Sequence, residues 1–224
     1  MFNDFINLIF PELCAACNHA LLKNEVVICT SCELSLPKSN ACFDQNNPLL
    51  RSFFGRVDIK MAAAYYQFNK QSKVQHLLHQ LKYKNYQEVG DKIGQLFGHE
   101  LNSSIYFKGI ELIIPVPLND KKLKQRGYNQ SELFAKGLSS SMGIPVSTSC
   151  LYRNIHSKTQ TNRSRYNRWE NVKDAFEVKN IEEVRGKSIL LVDDVITTGA
   201  TIEACASLLK ELHCTVYVAA IASV

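Results

Sequence analysis

Apolar positions follow two different periods along the chain. Ala62 to Phe68 and the β-branched run Glu111 to Val116 are short and nearly unbroken, as in strands buried on both faces, and Pro115 and Pro117 stop the second. Val74, Leu77, Leu78 and Leu81 recur three and four apart, so Ser72 to Lys82 is predicted as an amphipathic helix; Val89, Ile93, Leu96 and Phe97 mark another. Asn129 to Met142 reads as a helix and Val146 to Leu151 as a strand. Ser188 to Val192 is a further buried strand. Thr201 to Leu212 is a helix with Ile202, Cys205, Leu208, Leu209 and Leu212 on one side, and Thr215 to Ala222 is a final strand. Strands alternating with helices predict an α/β protein with a mostly parallel sheet flanked by helices.

Two stretches break the pattern. Pro37 to Gly55 is polar and turn-rich, which reads as a linker or surface loop. Arg153 to Glu170 is polar and basic with no apolar period, and loops of that length in a compact domain are usually functional or mobile. The apolar N-terminus (Phe2, Phe5, Ile6, Leu8, Ile9, Phe10) reads as a helix without a positive leader, since the first basic residue is Lys23. No stretch approaches the ~18 apolar residues of a membrane span. A cytoplasmic protein without a secretory signal is expected.

The 224 residues suffice for one α/β domain plus a small accessory module, with 46% hydrophobic and 21% charged residues, so wholesale disorder is excluded. The expected division is an N-terminal helix and metal module over residues 1–45 and the α/β domain over 46–224. The cysteines define the module. Cys14-Ala15-Ala16-Cys17 and Cys29-Thr30-Ser31-Cys32 are two CxxC knuckles whose thiolates suit a closed tetrahedral zinc site, structural rather than catalytic because no position is left for water. Free thiols or a redox pair are the alternatives. A redox CxxC is expected beside a βαβ unit, and none surrounds these pairs. His19 and Cys42 are spare candidate ligands, read more simply as a surface residue and a buried thiol. Cys150, Cys205 and Cys214 read as core, and Asn18 to Ile28 as a short hairpin.

Charge adds a direction. The net charge is +5, but no acidic residue falls between Leu133 and Trp169, where Lys136, Arg153, Lys158, Arg163, Arg165 and Arg168 lie. Lys121, Lys122, Lys124 and Arg126 cluster just upstream. Such a field attracts polyanions, phosphorylated metabolites or nucleic acid alike.

The most informative string is Ile189-Leu190-Leu191-Val192-Asp193-Asp194-Val195-Ile196-Thr197-Thr198-Gly199-Ala200-Thr201. Aliphatics lead a strand out of the core to two adjacent carboxylates, then a small-residue turn, then a helix. Ligands of open α/β sheets bind at the carboxyl ends of strands. Amides and hydroxyls of Thr197 to Thr201 at a helix N-terminus suit a phosphate monoester, and the carboxylates suit vicinal sugar hydroxyls. Together they describe a cradle for a ribose 5-phosphate. It is not a Walker loop, because no Gly-Lys-Ser/Thr follows. The plainer alternative is a strand end followed by a helix cap.

This string resembles the phosphoribosyl-diphosphate (PRPP) signature of type I phosphoribosyltransferases. With the cysteine module, Ile114-Pro115-Val116-Pro117-Leu118, Arg126-Gly127-Tyr128-Asn129-Gln130, Thr159-Gln160, Arg168-Trp169-Glu170-Asn171 and Ala175-Phe176, the chain is similar to the ComF/GntX family, competence-protein-F-like phosphoribosyltransferases. It departs from many relatives in keeping only Cys42 of a second knuckle, and in carrying Arg163 where an aliphatic residue often stands.

The resemblance implies a type I phosphoribosyltransferase-like fold and Mg²⁺-dependent phosphoribosyl transfer from PRPP to a nitrogen nucleophile. Asp193 and Asp194 would contact the ribose hydroxyls, Thr197, Thr198, Gly199, Ala200 and Thr201 the 5-phosphate, and Arg126, Asn129 and Gln130 the pyrophosphate. Lys158, Gln160, Arg165 and Arg168 would lie on a mobile loop. The family's link to competence also implies single-stranded DNA and the DNA-uptake machinery as partners, with Tyr152, Tyr166 and Trp169 as stacking aromatics.

Overall fold

The computed structural model describes residues 10–154 and 175–224. In chain order these form α1 (Thr30–Ser35), α2 (Pro48–Arg51), β1 (Met61–Gln67), α3 (Lys73–Tyr83), α4 (Glu88–Ser103), β2 (Leu112–Pro115), α5 (Asp120–Arg126), α6 (Gln130–Met142), β3 (Leu151–Arg153), β4 (Phe176–Val178), α7 (Ile181–Val184), β5 (Ser188–Ile196), α8 (Ala200–Glu211) and β6 (Thr215–Ser223). The aliphatic runs build one parallel sheet in the order β1-β6-β5-β2, with helices packed against it. Nearly every residue of β1, β2 and β6 is buried, which is why these strands lack the polar alternation of a half-exposed sheet.

The lengths of β2 and β5 create the crevice. β2 pairs with β5 from Leu112↔Ile189 to Pro115↔Val192, and the Val116 amide on the Val192 carbonyl is the last rung. Pro117 has no N–H to continue the ladder. β5 runs on, held by β6 as far as Ile196↔Ser223. The strand expected to end at Val192 therefore continues through both acids, which sit on its last turnless stretch with one edge unpaired by β2.

Helix α6 is set by close backbone packing. Gly90, Gly94 and Gly98 of α4 face α6; a Cβ on Gly94 would collide with the Phe134 carbonyl, and one on Gly137 with the Asp91 carbonyl. The small residues let two helices approach nearly to backbone contact, and α6 in turn packs on β2 and β5.

Three expectations need correction. Pro37 to Gly55 is no free linker or surface loop. The Ser39 amide donates to the Tyr65 carbonyl and the Gln67 amide to the Pro37 carbonyl; Cys42, Asn47, Leu50 and Phe53 are buried, and the Asn47 side-chain amide donates to the Ala41, Asp44 and Ala62 carbonyls. Polar residues here serve the backbone rather than solvent. Val146 to Leu151 is not a strand: only Val146 bridges Ile113, the Ser147 hydroxyl bonds to Ser149 and Cys150, and the strand forms later, as β3 paired antiparallel with β4. Helix α5 was not anticipated, because Asp120–Arg126 carries no buried residue and so no apolar stripe.

Cys150, Cys205 and Cys214 are buried as expected. The N-terminal run up to Ile9 and the loop residues Lys158, Gln160, Arg163, Arg165 and Arg168, with Tyr166 and Trp169, lie outside the described residues. No helix among the described residues is long and apolar enough to cross a membrane.

Candidate functional site: an acid pair and an open helix N-terminus

Asp193 and Asp194 stand on β5 just past the end of β2, still paired with β6. Asp193 Oδ1 accepts from the Asp194 amide at 2.8 Å and from the Ser131 hydroxyl at 3.0 Å, which ties it to the first turn of α6. Burial, with the neighbouring Asp194 charge second, pushes the Asp193 carboxyl up to about 7. Asp194 Oδ2 lies 3.0 Å from Lys82 Nζ, at the end of α3.

The turn beyond them is held from behind. Gly199 takes φ +75°, and a Cβ there would lie 2.8 Å from Phe53 Cε1, so both conformation and space require glycine. Arg56 Nη1 donates to the Thr198 carbonyl at 3.0 Å and to the Ser52 carbonyl, while its Nε and Nη2 donate to Glu203, a buried acid in the first turn of α8. Carbonyl Thr198 is thus turned back onto protein. The amides of Thr197, Thr198, Gly199 and Thr201 find no acceptor among the described residues. Among the described residues no side chain caps α8; the Thr198 hydroxyl reaches the Ala200 amide, at 3.5 Å. Thr197 and Thr198 are exposed. An uncapped N-terminus of this kind carries orphan donors and the positive end of the helix dipole.

Arg126, Asn129 and Gln130 lie around the start of α6, whose Ser131 bonds Asp193. Asn129 caps α6: its Oδ1 accepts from the Ser131 amide, and its Nδ2 donates to the Val116 carbonyl and to Glu132. Gln130 is buried and joins Arg126 Nη1 to the Tyr128 carbonyl. Arg126 also lies 5.3 Å over the Tyr83 ring, and its buried Nε has no partner among the described residues. Tyr128 packs, donating its hydroxyl to the Leu81 carbonyl. Tyr152, on β3, is partly exposed with Lys179 Nζ 4.4 Å over its ring. The structure therefore places Asp193 and Asp194 at the end of β5, directly before the Thr197–Thr201 turn into α8, while Asn129 and Gln130 stand beside Ser131, which bonds Asp193, and Arg126 bonds Gln130.

Sequence reasoning missed Lys82, Ser131 and Arg56. Each is one polar residue in an ordinary helix or turn, and only the tertiary fold brings it to β5 or α8.

The four cysteines also converge. Sγ atoms of Cys14, Cys17, Cys29 and Cys32 all lie within 4.8 Å of one another, with Cys17 and Cys29 at 3.8 Å. Sulfurs held about 2.3 Å from a central ion in a tetrahedron stand about 3.8 Å apart, so the set fits a metal ion such as zinc. Burial, then crowding by neighbouring thiols, drives the Cys32 thiol up; Cys14 is held down to about 7 by amides of Cys29, Ala16 and Cys17, which outweigh its burial. A central cation would relieve that crowding. His19 is exposed and Cys42 is a separate buried thiol, so neither joins the cluster.

Comparison with known proteins agrees with this architecture. Residues 129–224 match the family model described as a phosphoribosyl transferase domain, in keeping with a parallel sheet flanked by helices. The chain is 40% identical over 103 residues to Competence protein F of Haemophilus influenzae, covering 46% of this chain and 45% of the relative. It is 33% identical over 136 residues to DNA utilization protein YhgH of Escherichia coli O157:H7, covering 59% of each. Together the domain match and these relatives support a ComF-family, phosphoribosyltransferase-like protein. The chain spans about half the length of the curated relatives it matches. Among solved structures, adenine phosphoribosyltransferase of Saccharomyces cerevisiae is similar with a TM-score of 0.40 and 15% identity over 66% of this chain and 74% of that one.

Proposed function

We propose that the site binds PRPP with Mg²⁺ and transfers its phosphoribosyl group to a nitrogen nucleophile. The observation that carries this reading is the start of α8, where the amides of Thr197, Thr198, Gly199 and Thr201 find no acceptor among the described residues, a few residues beyond the acid pair. A 5-phosphate there would complete those donors, with the Thr197, Thr198 and Thr201 hydroxyls and the Ala200 amide beside it. Asp193 and Asp194 would accept from the ribose hydroxyls. Arg126 would face the pyrophosphate, where a fork of donors suits phosphate oxygens, and Asn129 and Gln130 would hold that wall in place.

Loss of pyrophosphate leaves an oxocarbenium-like C1, so positioned charge, not a covalent step, would lower the barrier. Mg²⁺ supplies part of that charge when bound with the diphosphate. Zinc at the cysteine cluster would be structural. Incubation with PRPP, Mg²⁺ and a cell metabolite extract is expected to release pyrophosphate and yield a ribosylated product, followed by mass. Binding with no release under any acceptor would leave a PRPP sensor and end the transferase reading.

A second reading is supported by the relatives, a competence protein and a DNA utilization protein. A place in DNA uptake, with single-stranded DNA as partner, accords with the exposed Lys121, Lys122 and Lys124 on α5. Filter binding across salt concentrations is expected to show retention that falls steeply with salt. No retention at low salt would eliminate it.

A further inference from the structure

The last turn of α3 is fastened to the site at three points. Lys82 Nζ lies 3.0 Å from Asp194 Oδ2, the Tyr83 ring sits beneath the Arg126 guanidinium at 5.3 Å, and the Tyr128 hydroxyl donates to the Leu81 carbonyl. Lysine side chains at helix ends usually extend into water. This one does not: the Lys82 and Asp194 side chains are only 21% and 15% exposed. A pair so withdrawn from solvent interacts more strongly than a surface ion pair and depends on its geometry.

Among the described residues, Lys82 from α3 and the Ser131 hydroxyl from α6 touch the acid pair, and the Cys205 thiol of α8 lies in the field of Asp193 and of Arg153 on β3. Lys82 is the cation in contact with the pair. Two adjacent carboxylates would otherwise repel a sugar carrying several phosphate charges. The Lys82 charge acts against that field, and it also lowers the Asp193 carboxyl, opposing the burial and the Asp194 charge that raise it.

The geometry points to Lys82 as a positioning residue of the acid pair, which fixes Asp194 and offsets the pair's charge so that a multiply anionic pentose diphosphate can enter. The substrate half rests on the PRPP reading above; the charge half does not. Lys82 has no contact with substrate assigned to it and acts through Asp194.

The test uses the full chain with Lys82→Met, Lys82→Gln and the conservative Lys82→Arg. Carboxyl titration by NMR is expected to show Asp193 titrating at higher pH in Lys82→Met and Lys82→Gln than in the parent, and near the parent value in Lys82→Arg. Calorimetry with PRPP is expected to show affinity weakened about tenfold or more in the neutral variants. That loss should widen as Mg²⁺ is lowered, with Lys82→Arg recovering most of it. A purely structural ion pair would shift the melting temperature without this Mg²⁺ dependence. Unchanged Asp193 titration in a folded neutral variant overturns the inference, whatever PRPP does. A parent protein that takes up no PRPP, with Asp193 moving as stated, sinks the pentose reading and upholds Lys82 as the pair's counter-ion.

Discussion

Replacing both acids, as Asp193→Asn with Asp194→Asn, is expected to lower PRPP affinity by about a hundredfold to ten-thousandfold, read by calorimetry. Each carboxylate would accept charge-assisted hydrogen bonds from a ribose hydroxyl, and losing such bonds at two partly buried acceptors removes about 1.5–3 kcal/mol apiece. The single change Asp193→Asn should act on stability in the opposite sense. Asp193 is pushed up to about 7 in the folded protein by burial and the Asp194 charge, above the ordinary carboxylate range near 4. A raised carboxyl favours the fold below its unfolded value, and that contribution disappears as pH rises through the folded value. At pH 8 the ionised Asp193 is therefore a cost. The asparagine keeps an acceptor for the Ser131 hydroxyl and the Asp194 amide. It should make the protein more stable at pH 8 by about 1–4 kcal/mol, with the advantage shrinking toward pH 4. Urea unfolding at several pH values measures this; equal stability of parent and variant at pH 8 would show that Asp193 carries no strain. A residue that destabilises its own fold at working pH is the pattern expected of a binding site rather than of a strand end.

The second large effect is expected at the cysteine cluster. Cys32 is buried in a small module in which few apolar side chains, Ala15, Ala16, Val27, Ile28 and Leu36 with the partly buried Leu21, surround the knuckles among the described residues. So few buried side chains supply little folding energy, and a structural metal would supply the rest, about 10–16 kcal/mol of apparent binding energy in isolated zinc modules. Metal analysis is expected to give one zinc per chain. Cys32→Ser should lower stability by about 3 kcal/mol or more, which for a chain of this size is a fall in melting temperature of roughly 6–12 °C. Strong chelators should reproduce the loss. Purified protein that carries no metal, and that Cys32→Ser leaves at the parent's melting temperature, would mean that the thiols only pack.

Much of this was legible before any coordinates. The aliphatic runs before Pro117 and Asp193 could be nothing but buried strands, and the leucines of α3 fixed its inward face. The thirteen residues from Ile189 to Thr201 carried strand, acids, turn and helix in order, because local chemistry dictates each of them. What escaped was long-range or disguised. Asp120–Arg126 is a helix held by its Asn119 cap, its Asp120 and a terminal Gly127, with no apolar face to announce it. Pro37 to Gly55 looked like a linker because Asn47, which holds that segment on β1, is a polar residue doing the work of a buried one. Lys82 stands among 26 basic residues, and nothing local distinguishes it from the exposed Lys84 two positions on. Its partner is more than a hundred residues away, so the pair exists only once α3 lies against the tip of β5.

A crystal structure of the full chain with PRPP and Mg²⁺ decides whether this pocket is a pentose-phosphate site. The 5-phosphate is expected within hydrogen-bonding distance of the Thr197–Thr201 amides, with ribose hydroxyls on Asp193 and Asp194. Phosphate density elsewhere, on the lysines of α5 for example, with the α8 amides still facing water, would contradict the assignment.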